Sequence, residues 1–531
     1  MRALALLDGR ISTLDPRAPE AEALLAVDGT IQQTGTTRDV RDALAALRRS
    51  GPVEELDLAG KRALPGLTDS HIHFVNYGLN LERVELTAAP SLEVVTQRVG
   101  HAAREAPAGE WVRGWGWDHS LWPEPRFPDR HALDAVAPRI PVALRRKDGH
   151  MMWLNSAALA AAGISATTPD PPGGRIGRDS HGEPDGLLFE NAQDLAYRAM
   201  PEVTPAQAER AARRAQAELH RVGVTGIHVP EAAFAFRALQ TLDRAGELAL
   251  RATMMLTHDG LAEAIETGLT SGFGGAFLRA GPVKLFVDGS LGSETAAMLS
   301  PFERSDNTGM LIMSADEIAA SVERAARAGL ACAIHAIGDR ANRVVLDAFE
   351  RTRDVWAPLD LRQRIEHVQV LHPDDVPRLA RIGVIASVQP IHATQDMDLV
   401  DKLWGARGRY AYAFKSLLDS GAHLAFGSDA PVETPDPLAG LYAAVARRRP
   451  DGRPEGGWYP QECIDIAQAV KAYTVGAAYA AGAEAVSGRL APGYWADVTI
   501  LTEDLITGPA EAILRSRVAH TIVDGRIVYS T

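Results

Sequence analysis

Five short apolar runs carry residues that bind metal ions or move protons: LPGLTDSHIHF at 64–74, PVKLFVDGS at 282–290, CAIHAIGD at 332–339, RIEHVQ at 364–369 and LAFGSDAP at 424–431. Neutral imidazole suits zinc and other borderline divalent ions, and a carboxylate can touch an ion and also take a proton from its water. These runs nominate His71, His73, His335, His367 and Asp429 as one shared metal site, with Asp429 as the proton shuttle. His71 and His73 stand at i and i+2, so on a strand end they would face the same side. Lys284 is the unusual member, because an ammonium has donors only. An amine that has captured carbon dioxide is instead an anionic carbamate, able to bridge to a second ion held by His335 and His367. The plainer alternative is a buried structural lysine paired with Asp288 or Asp429, since buried charges must be paired.

Such side chains need elements that bring distant residues together. A β-type run ending in His or Asp presents that residue at the C-terminal end of a strand, where parallel barrels assemble their active sites. A βα unit takes roughly 30 residues. The 32 residues from His335 to His367 fit one unit, and the 62 from His367 to Asp429 fit two, with VIASVQP at 384–390 between them. With GVTGIHV at 223–229 and LRATMML at 250–256 as strands two and three, eight strands are accounted for, and His228 is a further histidine at a strand end. More than a hundred residues rich in Trp and Pro separate strands one and two, which predicts a cap insertion at about 90–205 on the catalytic face. Its Trp115, Trp117, Trp122 and Trp153 are either the cap's own core or pocket lining. The expected substrate contacts are His150, Trp153, Trp115 and Trp117 in the cap, with Asp288 and Ser290 just past strand four.

Residues 1–62 and 486–531 alternate short apolar runs with Asp-Gly turns, and neither end has strands enough for a stable sheet alone. They are expected to pair into one small sandwich flanking a barrel at 63–485. The fold class is therefore α/β: a distorted (β/α)8 TIM-type barrel with a composite β-sandwich from both termini and a cap insertion.

The net charge of −13 over 531 residues argues against a sequence-independent grip on nucleic-acid phosphates. Cys332 and Cys463 are the only cysteines, which excludes a disulfide framework and a thiolate zinc site and fits a reducing cytoplasm. The N-terminal apolar stretch is too short for a signal-peptide core or a membrane span. The expected partner is a small-molecule substrate, with neither nucleic acid nor membrane, and a homodimer is left open.

The HIH after LPGLTDS, the strand-four lysine, one histidine on each of the next two strands and GSDAP together resemble the amidohydrolase superfamily. GWGWD at 114–118, GHMMWLNSAAL at 149–159, DGLLFENA at 185–192, KLFVDGSLGSETAAM at 284–298 and HAIGDRAN at 335–342 are similar to the subgroup that includes N-substituted formamide deformylase. The resemblance implies a metal-dependent hydrolase with metal positions at His71, His73, Lys284, His335, His367 and Asp429, holding one or two divalent ions, zinc by donor type, with Lys284 open to carboxylation. The expected reaction is hydrolysis of an amide, formamide or related C–N bond by a metal-activated water. Alternatives on the same site are an ester, lactone, carbamate or cyclic ureide hydrolase or a deaminase. One of another class is a non-catalytic metal-binding regulatory protein, against which the intact Asp429 argues. Substrate identity does not transfer, because the cap diverges widely within the group.

Overall fold

The computed structural model describes residues 1–48, 52–87, 89–107, 109–119, 122–146, 151–171, 174–292 and 294–531. It forms two compact units, one of Met1–Gly78 with Ala208–Thr531 and the other of Leu79–Gln207. The larger contains an eight-stranded parallel sheet: β1 Leu67–Asp69, β2 Val224–Val229, β3 Arg251–Thr257, β4 Leu278–Phe286, β5 Cys332–Ala336, β6 Arg364–His367, β7 Ile385–Val388 and β8 Leu424–Phe426. Each strand pairs with the next in sequence, as a barrel requires. β1 and β8 are joined where their ends meet, by Ser70 N–H donating to the Phe426 carbonyl at 2.9 Å and Asp429 N–H to that of His71 at 2.7 Å. The barrel is therefore nearly closed.

Helices between the strands bury one stripe each. In Ala315–Arg327, a capping box of Ser314 and Glu317 satisfies the first turn, and Ile318, Val322, Ala325 and Ala326 recur at helical spacing on the buried side. The barrel interior is more polar than the branched aliphatic filling usual for this fold. Arg364 and Glu366 of β6 and Ser387 of β7 are fully buried, and His228 of β2 is 2% exposed.

The two termini build the expected sandwich. One sheet runs Thr30–Gly35, Ala23–Val27, Ala3–Leu7, Val53–Asp57. The other runs Arg526–Ser530, Val518–Val523, Val498–Leu501, Arg62–Pro65, Arg10–Ser12, Glu20–Ala21, so its centre pairs a C-terminal strand with an N-terminal one. Leu4, Leu24 and Ile31 pack with Val498, Ile500 and Ile522 in one core. Arg62, 4% exposed, donates to both oxygens of Asp504 at 3.0 and 2.8 Å and stitches the two ends together.

The second unit is built on a six-stranded sheet with the helix Leu92–Glu105, whose N-cap Ser91 accepts from Val94 N–H. Trp117 and Trp153, expected among the substrate contacts, are its core instead. Both are fully buried, their rings meet edge-on at 5.7 Å, and their indole N–H groups donate to the carbonyls of Leu144 and Asp129, each at 2.9 Å. Trp122 packs in the same cluster. An indole buries a large apolar area once its one donor is satisfied, which is why these residues end inside.

Candidate metal centre

β1 ends at Asp69, so His71 and His73 lie in the turn beyond it rather than on a strand end. A loop interlock aligns them. The Asp69 carboxylate accepts from His71 N–H at 3.1 Å, Ser428 N–H at 3.0 Å and the Ser428 hydroxyl at 2.5 Å, tying the end of β1 to the loop after β8. Burial pushes the Asp69 carboxyl up to about 7. His73 N–H donates to the Ala430 carbonyl at 2.9 Å. A Cβ at Gly427 would lie 2.6 Å from His71 N, so only glycine allows the two loops to approach this closely. The result sets Asp429 Oδ1 3.3 Å from His73 Nε2 and 3.6 Å from His71 Nε2.

The neighbouring strands bring His335 and His367 to the same place. Ring centroids are 4.9 Å apart for His71 and His367 and 4.6 Å for His335 and His367. His367 and Asp429 have φ of +77° and +60°, a left-handed backbone uncommon for side chains of this size. Such strain persists where surrounding structure holds it and clusters at functional sites.

Three of these imidazoles spend one nitrogen on an acceptor and keep the other free. His71 Nδ1 lies 2.5 Å from Glu366 Oε2, His367 Nδ1 2.8 Å from Gln389 Oε1, and His335 Nε2 3.0 Å from the Gly289 carbonyl. With acceptors there, those nitrogens carry the proton, and the opposite nitrogen presents a lone pair. This is how metal-binding histidines are usually held. Burial keeps all three neutral, lowering His71, taking His335 down to about 3 and His367 well below its ordinary value. Glu366 is itself gripped by Arg364 through Nε to Oε1 and through Nη2 to Oε2 at 3.1 Å. Arg364 also reaches His228 Nδ1 at 2.9 Å, the Ser70 carbonyl at 2.6 Å and Ser387 Oγ at 2.7 Å. A buried charge network thus joins the loop after β1 to β2, β6 and β7 beneath the site.

Lys284, 4% exposed, has no hydrogen-bond partner for its Nζ, which sits 4.6 Å over the Phe286 ring. It is not hydrogen-bonded to Asp288 or Asp429. Burial lowers its amine to about 8, against the pull of Glu366 and Asp429. Asp429 Oδ1 also lacks a hydrogen-bond partner.

These features fit a divalent cation. The ligand atoms of His71, His73 and Asp429 lie within 4.8 Å of one another. The spacings of 3.3 and 3.6 Å exceed those of charge-assisted hydrogen bonds. They match instead the edge of about 3.4 Å between two ligands on a tetrahedral zinc with bonds of about 2.0–2.1 Å.

Of the other expected contacts, Asp288 has a different role. Its carboxylate is buried and accepts from the backbone N–H of Ala297 at 2.9 Å, Ile337 at 3.0 Å and Gly338 at 2.9 Å, joining the loops after β4 and β5. Ser290 sits next to Gly289, whose carbonyl holds His335. Trp115 is 39% exposed on the strand Val112–Trp117, and His150 lies outside the described residues. Sequence reasoning missed Arg364, Glu366, Gln389 and His392. Arg364 and Glu366 alternate with Ile365 inside RIEHVQ, a pattern that marked them as sharing a face.

Residues 54–529 match the family model described as the amidohydrolase family. The chain belongs to the amidohydrolase family. Among its relatives, the putative amidohydrolase YtcJ of Bacillus subtilis (strain 168) is 33% identical, over 98% of this amidohydrolase and 98% of that protein. N-substituted formamide deformylase of Arthrobacter pascens is 30% identical, over 100% of this amidohydrolase and 98% of that protein. The crystal structure of an uncharacterized metal-dependent hydrolase from Pyrococcus horikoshii OT3 superposes with a TM-score of 0.79 at 30% identity, covering 96% of this chain and 99% of that one. Membership makes this amidohydrolase a metal-dependent hydrolase.

Proposed function

We propose that this amidohydrolase cleaves an amide, formamide or related C–N bond in a small, partly apolar molecule. His71, His73, His335, His367 and Asp429 would hold the metal, and Asp429 would serve as proton shuttle. The observation that carries the reading is the Asp429 carboxylate, set by a positive φ within 3.6 Å of two ring nitrogens and with an oxygen free of hydrogen bonds. A divalent cation bound there, zinc by the character of its donors, polarises a carbonyl and brings the pKa of water to about 7.

The chain's own residues do the rest. Burial opposes the charge on Asp429, but the adjacent His392, His73, His71 and His367 rings outweigh it and hold the carboxyl well below its ordinary value. It is thus a carboxylate ready to accept a proton from the attacking water and return it to the leaving nitrogen. Glu366 keeps the His71 proton on Nδ1, Gln389 keeps that of His367, and the Gly289 carbonyl holds His335 by Nε2. Lys284, buried and without a partner at Nζ, is suited to react as the free amine with carbon dioxide. Its nitrogen would bond to the carbon and lose a proton, and the resulting carbamate would face the cluster. The second molecule in this reading is a small substrate. The deformylase relative directs the choice of test: N-acyl and formamide compounds, with matched esters and cyclic ureides, offered to zinc-, manganese- and cobalt-loaded protein. Turnover of the C–N substrates, lost in Asp429→Asn, is expected. Turnover of only esters or lactones moves the assignment to that bond, and none with fully loaded protein favours a non-catalytic role.

A further inference from the structure

The barrel also holds a cavity that begins at the end away from the metal cluster. Arg251 is the first residue of β3 and Arg279 the second of β4, so both stand at strand starts, opposite the face where parallel barrels do their chemistry. These two arginines line the cavity together with Thr68, His228, Thr253 and Trp495. Among the described residues, no acidic side chain lines it.

The two guanidiniums are held in place but not satisfied. Both lie against the Trp495 indole, their central carbons 4.4 and 5.0 Å from a ring centroid, a contact that fixes the planar group and leaves its N–H edge for acceptors. Arg251, with its side chain 8% exposed, spends Nε and Nη2 on Asp497 at 2.9 and 3.0 Å, while its Nη1 is buried with no hydrogen-bond partner. Leaving such a donor unmet is costly. Arg279 donates Nε–H to the Gly275 carbonyl at 3.1 Å and meets no carboxylate among the described residues, and burial and the adjacent Arg251 cation pull its pKa below the ordinary value. Asp524 is shared by Arg2 at 2.8 Å and Arg251 at 3.3 Å. Arg2, Arg251 and Arg279 therefore face only Asp497 and Asp524, which leaves one positive charge in excess. His228 adds a donor, because its Nδ1 faces an Arg364 N–H at 2.9 Å and its proton must then sit on Nε2.

The cavity measures about 30 Å³. A single water needs about 10–15 Å³ on this measure, so an ion of a few heavy atoms fits and a nucleotide or peptide does not.

We propose that this cavity binds a small monovalent anion, a halide or a short carboxylate such as formate, between Arg251 and Arg279 beside Trp495. The buried chain of His228, Arg364, Glu366 and His71 lies between it and the metal cluster, and the proposal needs no known substrate.

The test titrates the zinc-loaded full chain with sodium chloride and, separately, with sodium formate, at an ionic strength held constant with the bulkier isethionate, and follows Tm of wild type and Arg279→Gln. Expected is a saturating rise in Tm of the wild type, with binding weakened at least about tenfold in Arg279→Gln, where a charge-assisted contact is lost. The salt that acts at lower concentration tells a halide site from a carboxylate site. Wild-type crystals soaked in the anion that titrates, with bromide read by anomalous scattering in place of chloride, locate it without relying on the variant's fold. Density between the two guanidiniums is expected, and its absence overturns the proposal whatever the variant does. An equal rise in Tm in Arg279→Gln places the anion elsewhere and overturns it too. Density there with no rise in Tm in either salt marks an adventitious ion only, which also refutes a built site.

Discussion

Asp429, Glu366 and Lys284 carry separate parts of the chemistry, and their substitution should fail in different ways. Asp429→Asn keeps the size and one oxygen but removes the base, so kcat should fall by at least about 10² with the fold intact, the usual scale for a general base. Near-normal kcat would move the proton shuttle to another group. Glu366→Gln acts at a distance. It leaves every candidate ligand in place but weakens the grip on the His71 Nδ1 proton and leaves Arg364 buried without its carboxylate. Loss of such an outer partner typically costs 10–100-fold in metal affinity, readable by competition with a chelator. Lys284→Ala should lower the metal content, with partial rescue of activity by short carboxylates, if a carbamate bridges the ions. Intact mass of the wild type checks for the added carboxyl group. Unchanged metal content with only a loss of stability would make Lys284 a structural cation.

The decisive contact between elements is the meeting of the loops after β1 and β8. Those strands have only three residues each, so the junction relies on the Asp69 carboxylate and on the absence of a side chain at Gly427. Gly427→Ala puts a methyl 2.6 Å from His71 N and 2.9 Å from Asp69 Oδ1. Overpacking of this kind costs about 1–3 kcal/mol, and here it falls on backbone that aims His71 and Asp429. Activity should drop much further than the melting temperature does, and equal losses in both would show that the junction serves stability alone. Away from the site, Ser314→Ala removes only a helix cap and should cost about 1 kcal/mol with kcat unchanged.

The whole molecule joins its two ends and its metal cluster to one folded state. Candidate ligands converge from β5, β6 and the loops after β1 and β8, so removing the ion leaves buried groups facing each other without their counter-charge. Chelation should abolish turnover and lower Tm, and metal-free protein verified by elemental analysis that stays active would refute the metal-dependent mechanism. The sandwich responds to pH. Burial acts to raise the Asp504 carboxyl, but hydrogen bonds and charge from Arg62, with help from Thr507 and Arg10, hold it well below the ordinary carboxylate range. A depressed folded pKa means that the unfolded chain binds the proton more readily. This contribution is therefore fully present above the unfolded value of about 3.9 and is lost as pH falls below it. Asp504→Asn should be less stable than wild type at neutral pH and should lose less on acidification, followed by urea unfolding across that range. No helix among the described residues is long and apolar enough to cross a membrane.

Local sequence determined the elements and their order. Apolar runs of strand length, Ala-rich amphipathic stretches and Asp-Gly turns act within a few residues of chain, so eight barrel strands, the split sandwich and the positions of His71, His73, His335, His367 and Asp429 were readable without a third dimension. What depended on non-local contact was not. The pleat argument for His71 and His73 gave way to a loop interlock held by Ser428 and Gly427, more than three hundred residues away. Trp117 and Trp153 offered the same residue type to a core or a pocket, and only packing against each other and against Leu144 decided for the core. Asp288 looked free to meet a substrate until three backbone N–H groups from two later segments took up its oxygens. Arg364, Glu366, Gln389 and His392 were visible as letters, but a buried charge pair or a ligand pair exists only once the partner's distance is known. Distance between segments remote in sequence is what tertiary structure alone supplies.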